Sequence, residues 1–231
     1  MNKKESYLTL KWTKRIKAIN LLGGKCSRCG NDNIFCLEFH HIEKKEEKED
    51  EIGFLIRSGK GWSIIEREIK KCLLLCANCH SEIHFKSGRG SKIKIDTLND
   101  LNITKCSICG HSDENYRSLV FHHRNKKNKK FGISNFFSRV KTSEFSVVDL
   151  IEEIKKCDIV CRNCHSIKHS EIKRFEKFKN EITEKIKRHK EKRDINWDLV
   201  KKLKEDGNGI CDIAKIIGTG KSTIHYIYHK V

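Results

Sequence analysis

The sequence predicts an α+β fold class: two tandem copies of one small α+β module, then an all-α carboxy-terminal domain. Three observations lead there. Residues 26–84 and 106–169 carry the same pattern of cysteines and histidines, an internal repeat. The 37% hydrophobic fraction beside 35% charged is lean for one large core in 231 residues, so small modules that need stapling are expected. From Asp194 onward, short apolar-periodic segments alternate with glycine turns. The expected organisation is an amino-terminal helix with the first module in residues 1–94, a second module in 95–166, a basic amphipathic linker helix in 167–193 and the all-α domain in 194–231.

The repeat is tightest where the residues carry chemistry. The first copy begins Cys26-Ser-Arg-Cys29-Gly30 and continues through Leu37-Glu-Phe-His40-His41. It ends Lys71-Cys72-Leu-Leu-Leu-Cys76-Ala-Asn78-Cys79-His80-Ser-Glu-Ile-His84. The second reads Cys106-Ser-Ile-Cys109-Gly110, then Leu119-Val-Phe-His122-His123. It ends Lys156-Cys157-Asp-Ile-Val-Cys161-Arg-Asn163-Cys164-His165-Ser-Ile-Lys-His169. Glu68-Ile-Lys-Lys-Cys72 matches Glu153-Ile-Lys-Lys-Cys157 residue for residue. Cys26, Cys29, Cys76 and Cys79 form two C-x2-C knuckles, as do Cys106, Cys109, Cys161 and Cys164. Four thiolates suit tetrahedral zinc, so two structural Zn²⁺ ions are expected, whose binding supplies folding free energy to a lean segment. Disulfides or a redox-active C-x-x-C are the competing readings. Nothing resembles a membrane span or a secretory signal, because Met1 to Leu22 mixes Lys, Arg and Trp with scattered aliphatics. An intracellular, unsecreted protein without a membrane partner is expected, and in that setting metal is favoured over cystine. Cys72 and Cys157 read as small buried residues; Cys36 and Cys211 have no assigned role.

A four-cysteine site is already full, so the eight matched histidines need another explanation. His40-His41 and His122-His123 follow short apolar runs, Ile34–Leu37 and Ser118–Phe121, that read as strands. Adjacent strand residues point to opposite faces, so a twist or a strand end is needed to present both to one site. His80 and His84 are four apart, as are His165 and His169; on a helix opened by the last knuckle, each pair shares a face. Three or four imidazoles per module are thereby able to converge on a second metal.

At these residues the sequence resembles the HNH, or ββα-metal, endonuclease family, particularly phage-type members with zinc knuckles. The resemblance covers 26–84 and 106–169, over half of the chain. It implies two tandem zinc-stabilised ββα-metal modules, with His40 and His122 as ligands of a catalytic ion and His41 and His123 as general bases. His80 and His165 would be second ligands. The pairing of His-His with His-x3-His also looks like colicin-type nucleases, by which His84 and His169 are third ligands. One departure stands out. The family's middle Asn, which orients the base, lies nine residues before the helical His, and Lys71 and Lys156 occupy those positions. Asn78 and Asn163 cannot be assumed to substitute, so either another group orients the base or the lysines have a different role near phosphate.

The chemistry implied is phosphodiester hydrolysis, in which a neutral imidazole deprotonates water and one divalent ion per site, Mg²⁺ or Mn²⁺, stabilises the leaving oxygen. An all-histidine site also accepts Ni²⁺ or Zn²⁺. Two modules in one chain look like a fused dimer, a monomer able to cut both strands of double-stranded DNA. Their loops differ: Glu43–Glu51 holds six acids and three lysines, whereas Arg124–Lys130 is only positive. Lys126, Lys127, Lys129 and Lys130 are therefore DNA-contact candidates, and the second module is expected to grip DNA more tightly, unless the acidic loop is a solvated segment away from DNA.

Residues 167–193 carry 11 Lys plus Arg and five Glu, with Ile167, Ile172, Phe175, Phe178, Ile182 and Ile186 at mostly helical spacing. Trp197–Leu203, Ile210–Ile217 and Lys221–Lys230 read as three helices, with a tight turn at Gly218-Thr-Gly220. This segment resembles the helix-turn-helix of resolvases and phage HNH homing endonucleases. The early part of the last helix in such domains faces the major groove, which makes Ser222, Thr223, His225 and Tyr226 contact candidates. Of the net charge of +18, residues 1–100 hold +6, 101–166 hold +5, 167–193 hold +6 and 194–231 only +1. The expectation is a metal-dependent DNA endonuclease with site-specific, homing-like cleavage. The alternatives are a catalytically weak or inactive zinc-stabilised DNA-binding protein, and a structure-selective DNA junction nuclease.

Overall fold

A computed structural model of the chain describes residues 3–42, 50–138, 144–193 and 195–230. Helix α1 (Lys3–Leu21) leads into the first knuckle. Strands β1 (Leu37–His41) and β2 (Cys72–Cys76) then pair antiparallel, with Leu37 opposite Cys76 and His41 opposite Cys72. Side-chain alternation sends Leu37, Phe39 and His41 to one face of this two-stranded sheet and Glu38 and His40 to the other. Between the strands lie α2 (Ile52–Arg57) and α3 (Trp62–Ile69), whose Ile52, Leu55, Ile65 and Ile69 are buried with Phe39 packed against them. Helix α4 (Ala77–Ile83) follows β2 without a linker, because the Cys76 thiol caps it by accepting from the Cys79 amide. The expected strand over Ile34–Leu37 is displaced. The Asn33 side chain accepts from the Phe35 amide and its carbonyl from the Cys36 amide, which makes a turn there and places the histidine pair inside the strand.

The second module repeats the plan. Helix α5 (Arg89–Asp100) precedes β3 (Leu119–His123), a 3₁₀ turn at Lys126–Asn128, α6 (Ile133–Ser138), α7 (Val147–Ile154), β4 (Cys157–Cys161) and α8 (Arg162–Lys168). Strand β3 pairs antiparallel with β4, Leu119 opposite Cys161 and His123 opposite Cys157, the same register as in the first copy. Ser146 and Asp149 form a reciprocal capping box at the start of α7. Leu98, Leu119, Ile133, Leu150 and Val160 make the core.

The modules meet through α4 and α8. The Asn78 amide donates to the Asn163 side-chain carbonyl at 3.1 Å, and the Asn163 amide donates to that of Asn78 at 3.0 Å. Each bond is the mirror of the other, the signature of a pseudo-two-fold interface. These asparagines, to which the sequence assigns no role, join the two copies.

The chain divides into two compact units, residues 14–174 and residues 1–13 with 175–231. In the second unit, Trp12 packs edge-on against Phe175 at 5.0 Å, and Lys177 pairs with Glu5 at 2.9 Å. The basic helix is α9 (Ile172–Arg193); Ile167 belongs to α8, which stops where Ser170 turns back to bond the Ile167 carbonyl through both its amide and its hydroxyl. Helices α10 (Trp197–Glu205), α11 (Ile210–Ile217) and α12 (Lys221–Tyr228) enclose Val200, Ile213, Ala214, Ile224 and Ile227. Among the described residues, no helix is long and apolar enough to cross a membrane.

Candidate metal centres

Each pair of knuckles gathers four sulfurs. The Sγ atoms of Cys26, Cys29, Cys76 and Cys79 lie within 4.8 Å of one another, as do those of Cys106, Cys109, Cys161 and Cys164. The Cys29–Cys76 and Cys109–Cys161 separations are both 3.7 Å. A tetrahedron with zinc–sulfur bonds of about 2.3 Å has edges of about 3.8 Å, so these sets fit structural zinc. The first knuckle of each pair closes by a Gly30 or Gly110 amide bond to the first cysteine carbonyl, and both glycines sit at positive φ, 76° and 72°. Only glycine adopts that conformation without strain. Burial opposes ionisation of Cys26 and Cys106, but nearby backbone amides draw their thiols down to about 7 and about 6. Cys72 and Cys157 are buried outside the sulfur clusters; Cys36 is also buried and Cys211 is exposed.

Histidines form the second pair of centres. His40, His80 and His84 group together, as do His122, His165 and His169. In the first cluster, His84 Nε2 is 3.1 Å from both His40 Nδ1 and His80 Nε2. Ligand nitrogens about 2.1 Å from one ion stand about 3.0 Å apart in octahedral and about 3.4 Å apart in tetrahedral geometry, so the three imidazoles fit one metal face. Strand β1 supplies His40, and the i, i+4 spacing at the end of α4 supplies His80 and His84. In the second cluster His169 Nε2 is again 3.1 Å from His122 Nδ1, and the His165 ring lies 4.5 Å from the His169 ring. Burial first, then the neighbouring imidazoles, pull His165 down to about 4; burial also lowers His122. Both shifts favour the neutral ring, the form whose lone pair can ligate a metal.

The two clusters differ behind the ligands. His80 Nδ1 donates to Glu38 Oε2 at 2.5 Å, which leaves Nε2 as the lone-pair nitrogen facing His84. The matching position on β3 is Val120.

His41 and His123 stand outside both clusters. Alternation turns each to the opposite face of its sheet, where Nε2 meets a buried carboxylate: Glu68 Oε1 at 2.8 Å from His41, Glu153 Oε1 at 2.8 Å from His123. The histidine side chains are 12% and 9% exposed, the glutamates 0% and 1%. Lys71 approaches Glu68 at 3.2 Å and Lys156 approaches Glu153 at 2.7 Å. Against the cost of burial, Lys156, the Lys130 amide and His123 bring the Glu153 carboxyl down to about 2. The two lysines that depart from the family pattern are thus counter-ions of a buried carboxylate. Glu68 and Glu153 are functional candidates that sequence reasoning did not single out; their only signal was the string shared by both copies.

The remaining candidates are dispersed. Lys126, Lys127 and Lys129 are exposed, whereas Lys130 pairs with Asp149 at 2.8 Å. Residues 43–49 of the acidic loop lie outside the described residues. Ser222, His225 and Tyr226 are exposed on α12 and Thr223 is half-buried, opposite the inward Ile224 and Ile227. Basic residues of α1 are engaged within the first module: Arg15 donates to the Leu37 carbonyl at 2.5 Å, Lys14 to the Lys60 carbonyl, and Lys17 covers the Trp62 ring at 3.9 Å. A further group, Glu82, His111 and Asp113, is engaged internally: Glu82 with Arg28, and both others with Ser118. Comparison with family models, curated proteins and solved structures finds no match to the chain.

Proposed function

We propose that the chain is a metal-dependent DNA endonuclease of the HNH kind, with tandem ββα-metal modules each hydrolysing phosphodiester bonds in one strand of double-stranded DNA. The observation that carries this reading is the paired arrangement in both copies: three imidazole nitrogens grouped on one face of the strand end and, next in sequence but on the opposite face, a fourth imidazole held by a buried carboxylate.

His40, His80 and His84 would hold one divalent ion and His122, His165 and His169 another, Mg²⁺ or Mn²⁺ in the cell. Such an ion supplies charge stabilisation to the phosphoryl group and the leaving oxygen. The chain's own residues do the rest. Glu68 and Glu153 accept the Nε2 proton of His41 and His123, which fixes the tautomer with a lone pair on Nδ1. That nitrogen takes the proton of the attacking water, and the carboxylate steadies the imidazolium that results. A two-stranded sheet leaves β1 and β3 each with an unpaired edge. On this reading a phosphodiester would cross the end of the strand at His41 or His123, so that imidazoles on both faces act on it. The Asn78–Asn163 pairing supports a fused dimer that works as a monomer. The α10–α12 segment is read as a helix-turn-helix that anchors DNA by Ser222, Thr223, His225 and Tyr226, giving site-specific cleavage.

Supercoiled plasmid with Mg²⁺ or Mn²⁺ tests the reading. Wild type should nick and then linearise; His41→Ala and His123→Ala should each nick only, and the double variant should do neither. Intact, zinc-loaded wild type that leaves every DNA uncut overturns it. The near-burial of His41 and His123 favours a second reading, a zinc-stabilised DNA-binding protein without catalysis, which predicts DNA binding with no metal-dependent nicking.

A further inference from the structure

The sequence repeat is closest at the clustered histidines, yet the positions around them differ in kind, and one of them touches a ring of the cluster directly. On the α4 face of β1, Glu38 lies two residues before His40 and accepts from His80 Nδ1 at 2.5 Å. On β3 the same register position, two residues before His122, is Val120, whose side chain has no acceptor to offer His165. The strand-to-helix contact matches, His40 or His122 Nδ1 to His84 or His169 Nε2 at 3.1 Å in both. Opposite His122 lies Asp158, where Leu73 lies opposite His40, but that carboxylate is paired with Arg124 and Lys168.

We infer that Glu38 makes the first histidine cluster the tighter of two unequal metal sites, so that the modules load in sequence. A carboxylate hydrogen-bonded to the far nitrogen of a ligating histidine fixes the tautomer, fixes the ring and raises the basicity of the nitrogen on the metal; removing such a partner costs about 10- to 100-fold in metal affinity. His80 has that partner. His165 does not draw one from Val120. At ion concentrations between the two affinities, the first module is charged and the second is empty. A nuclease built this way nicks one strand at low metal and breaks both at high metal. Glu38 is a positioning residue, acting through His80. The inference rests on the proposed reading only in taking the histidine clusters as metal sites.

Nickel titration calorimetry of the full chain tests it, with both four-cysteine sites filled by zinc and zinc content confirming that each variant has folded. Wild type should bind two Ni²⁺ in two classes about 10- to 100-fold apart. His80→Ala should abolish the tight class and His165→Ala the weak one. Glu38→Val should merge the tight class with the weak; Glu38→Gln, of nearly the same shape, should weaken it in the same direction. Val120→Glu should tighten the weak class, a gain that a purely structural role for Glu38 does not produce. Two equal sites in wild type, a tight class that survives Glu38→Val, or no nickel at the histidines overturns the inference. Two unequal classes without plasmid nicking under any metal uphold it while removing the nuclease reading.

Discussion

Glu68 and Glu153 are carboxylates with almost no exposed surface, each touching an imidazole on one oxygen and approached by a lysine on the other. An unpaired buried charge costs several kcal/mol, and hydrogen bonds with an opposite charge offset that cost. Such a group fixes a neighbour's orientation, and here the neighbour in both copies is the histidine that follows a clustered histidine in the sequence. Glu68→Gln and Glu153→Gln keep the shape and remove the charge. Zinc content and the unfolding transition should change little, while the nicking rate of the altered module falls by about 10²- to 10⁴-fold, the usual worth of a positioned general base. The rate is best measured in a background where the other module is silenced by His123→Ala or His41→Ala. An unchanged rate would detach the dyads from catalysis. The string Glu68–Cys72 was visible as an exact repeat of Glu153–Cys157, but a glutamate followed by two lysines reads as a solvated helix face. Only the turn from α3 into β2, and the register that sets His41 opposite Cys72, bring the carboxylate under the imidazole.

Helices and strands this short do not stand alone; β1 through β4 have five residues each and α4 and α8 have seven. Their ends are tied by the knuckles. Metal analysis should return two zinc ions per chain, falling to one for Cys76→Ser, with the first module losing structure by hydrogen exchange and the second retaining most of its own. The knuckles were legible because C-x2-C is a local motif whose chemistry needs no knowledge of the fold. The α4–α8 pairing was not, because Asn78 and Asn163 are 85 residues apart and look like ordinary knuckle residues. Their reciprocal bonds make a second expectation at this scale. Asn78→Ala and Asn163→Ala should each cost about 1–3 kcal/mol by leaving a half-buried amide without its acceptor. In urea unfolding the double variant should cost less than the sum of the two, since both remove one interface. Strict additivity would separate the two bonds and argue against a joined pair of modules.

Across the whole molecule, the net charge of +18 is spread over the modules and α9, with only +1 in residues 194–231. On the proposed reading, a segment that anchors DNA while contributing almost no charge would act through shape and hydrogen bonds, and most of the salt-dependent grip would fall to the modules and the basic helix. The candidate lysines are not equivalent in this respect. Lys126 and Lys127 stand on the 3₁₀ turn and Lys129 follows it, all exposed, whereas Lys130 is held by Asp149 and its amide by Glu153. A cation already paired releases fewer counterions when phosphate arrives. Replacing Lys126, Lys127 and Lys129 together by Ala should therefore reduce the slope of log affinity against log salt by about 2–3, at about 0.9 for each phosphate no longer neutralised, and weaken all sequences alike. Lys130→Ala should change the slope by less than any one of those three. Tyr226→Ala on α12 should leave the slope intact and instead narrow the gap between the preferred site and random duplex. Fluorescence anisotropy over about 50 to 200 mM salt measures all three quantities in one series, a range over which binding through phosphates separates from binding through bases. A slope untouched by the triple replacement would move the electrostatic grip away from the second module's loop and onto α9.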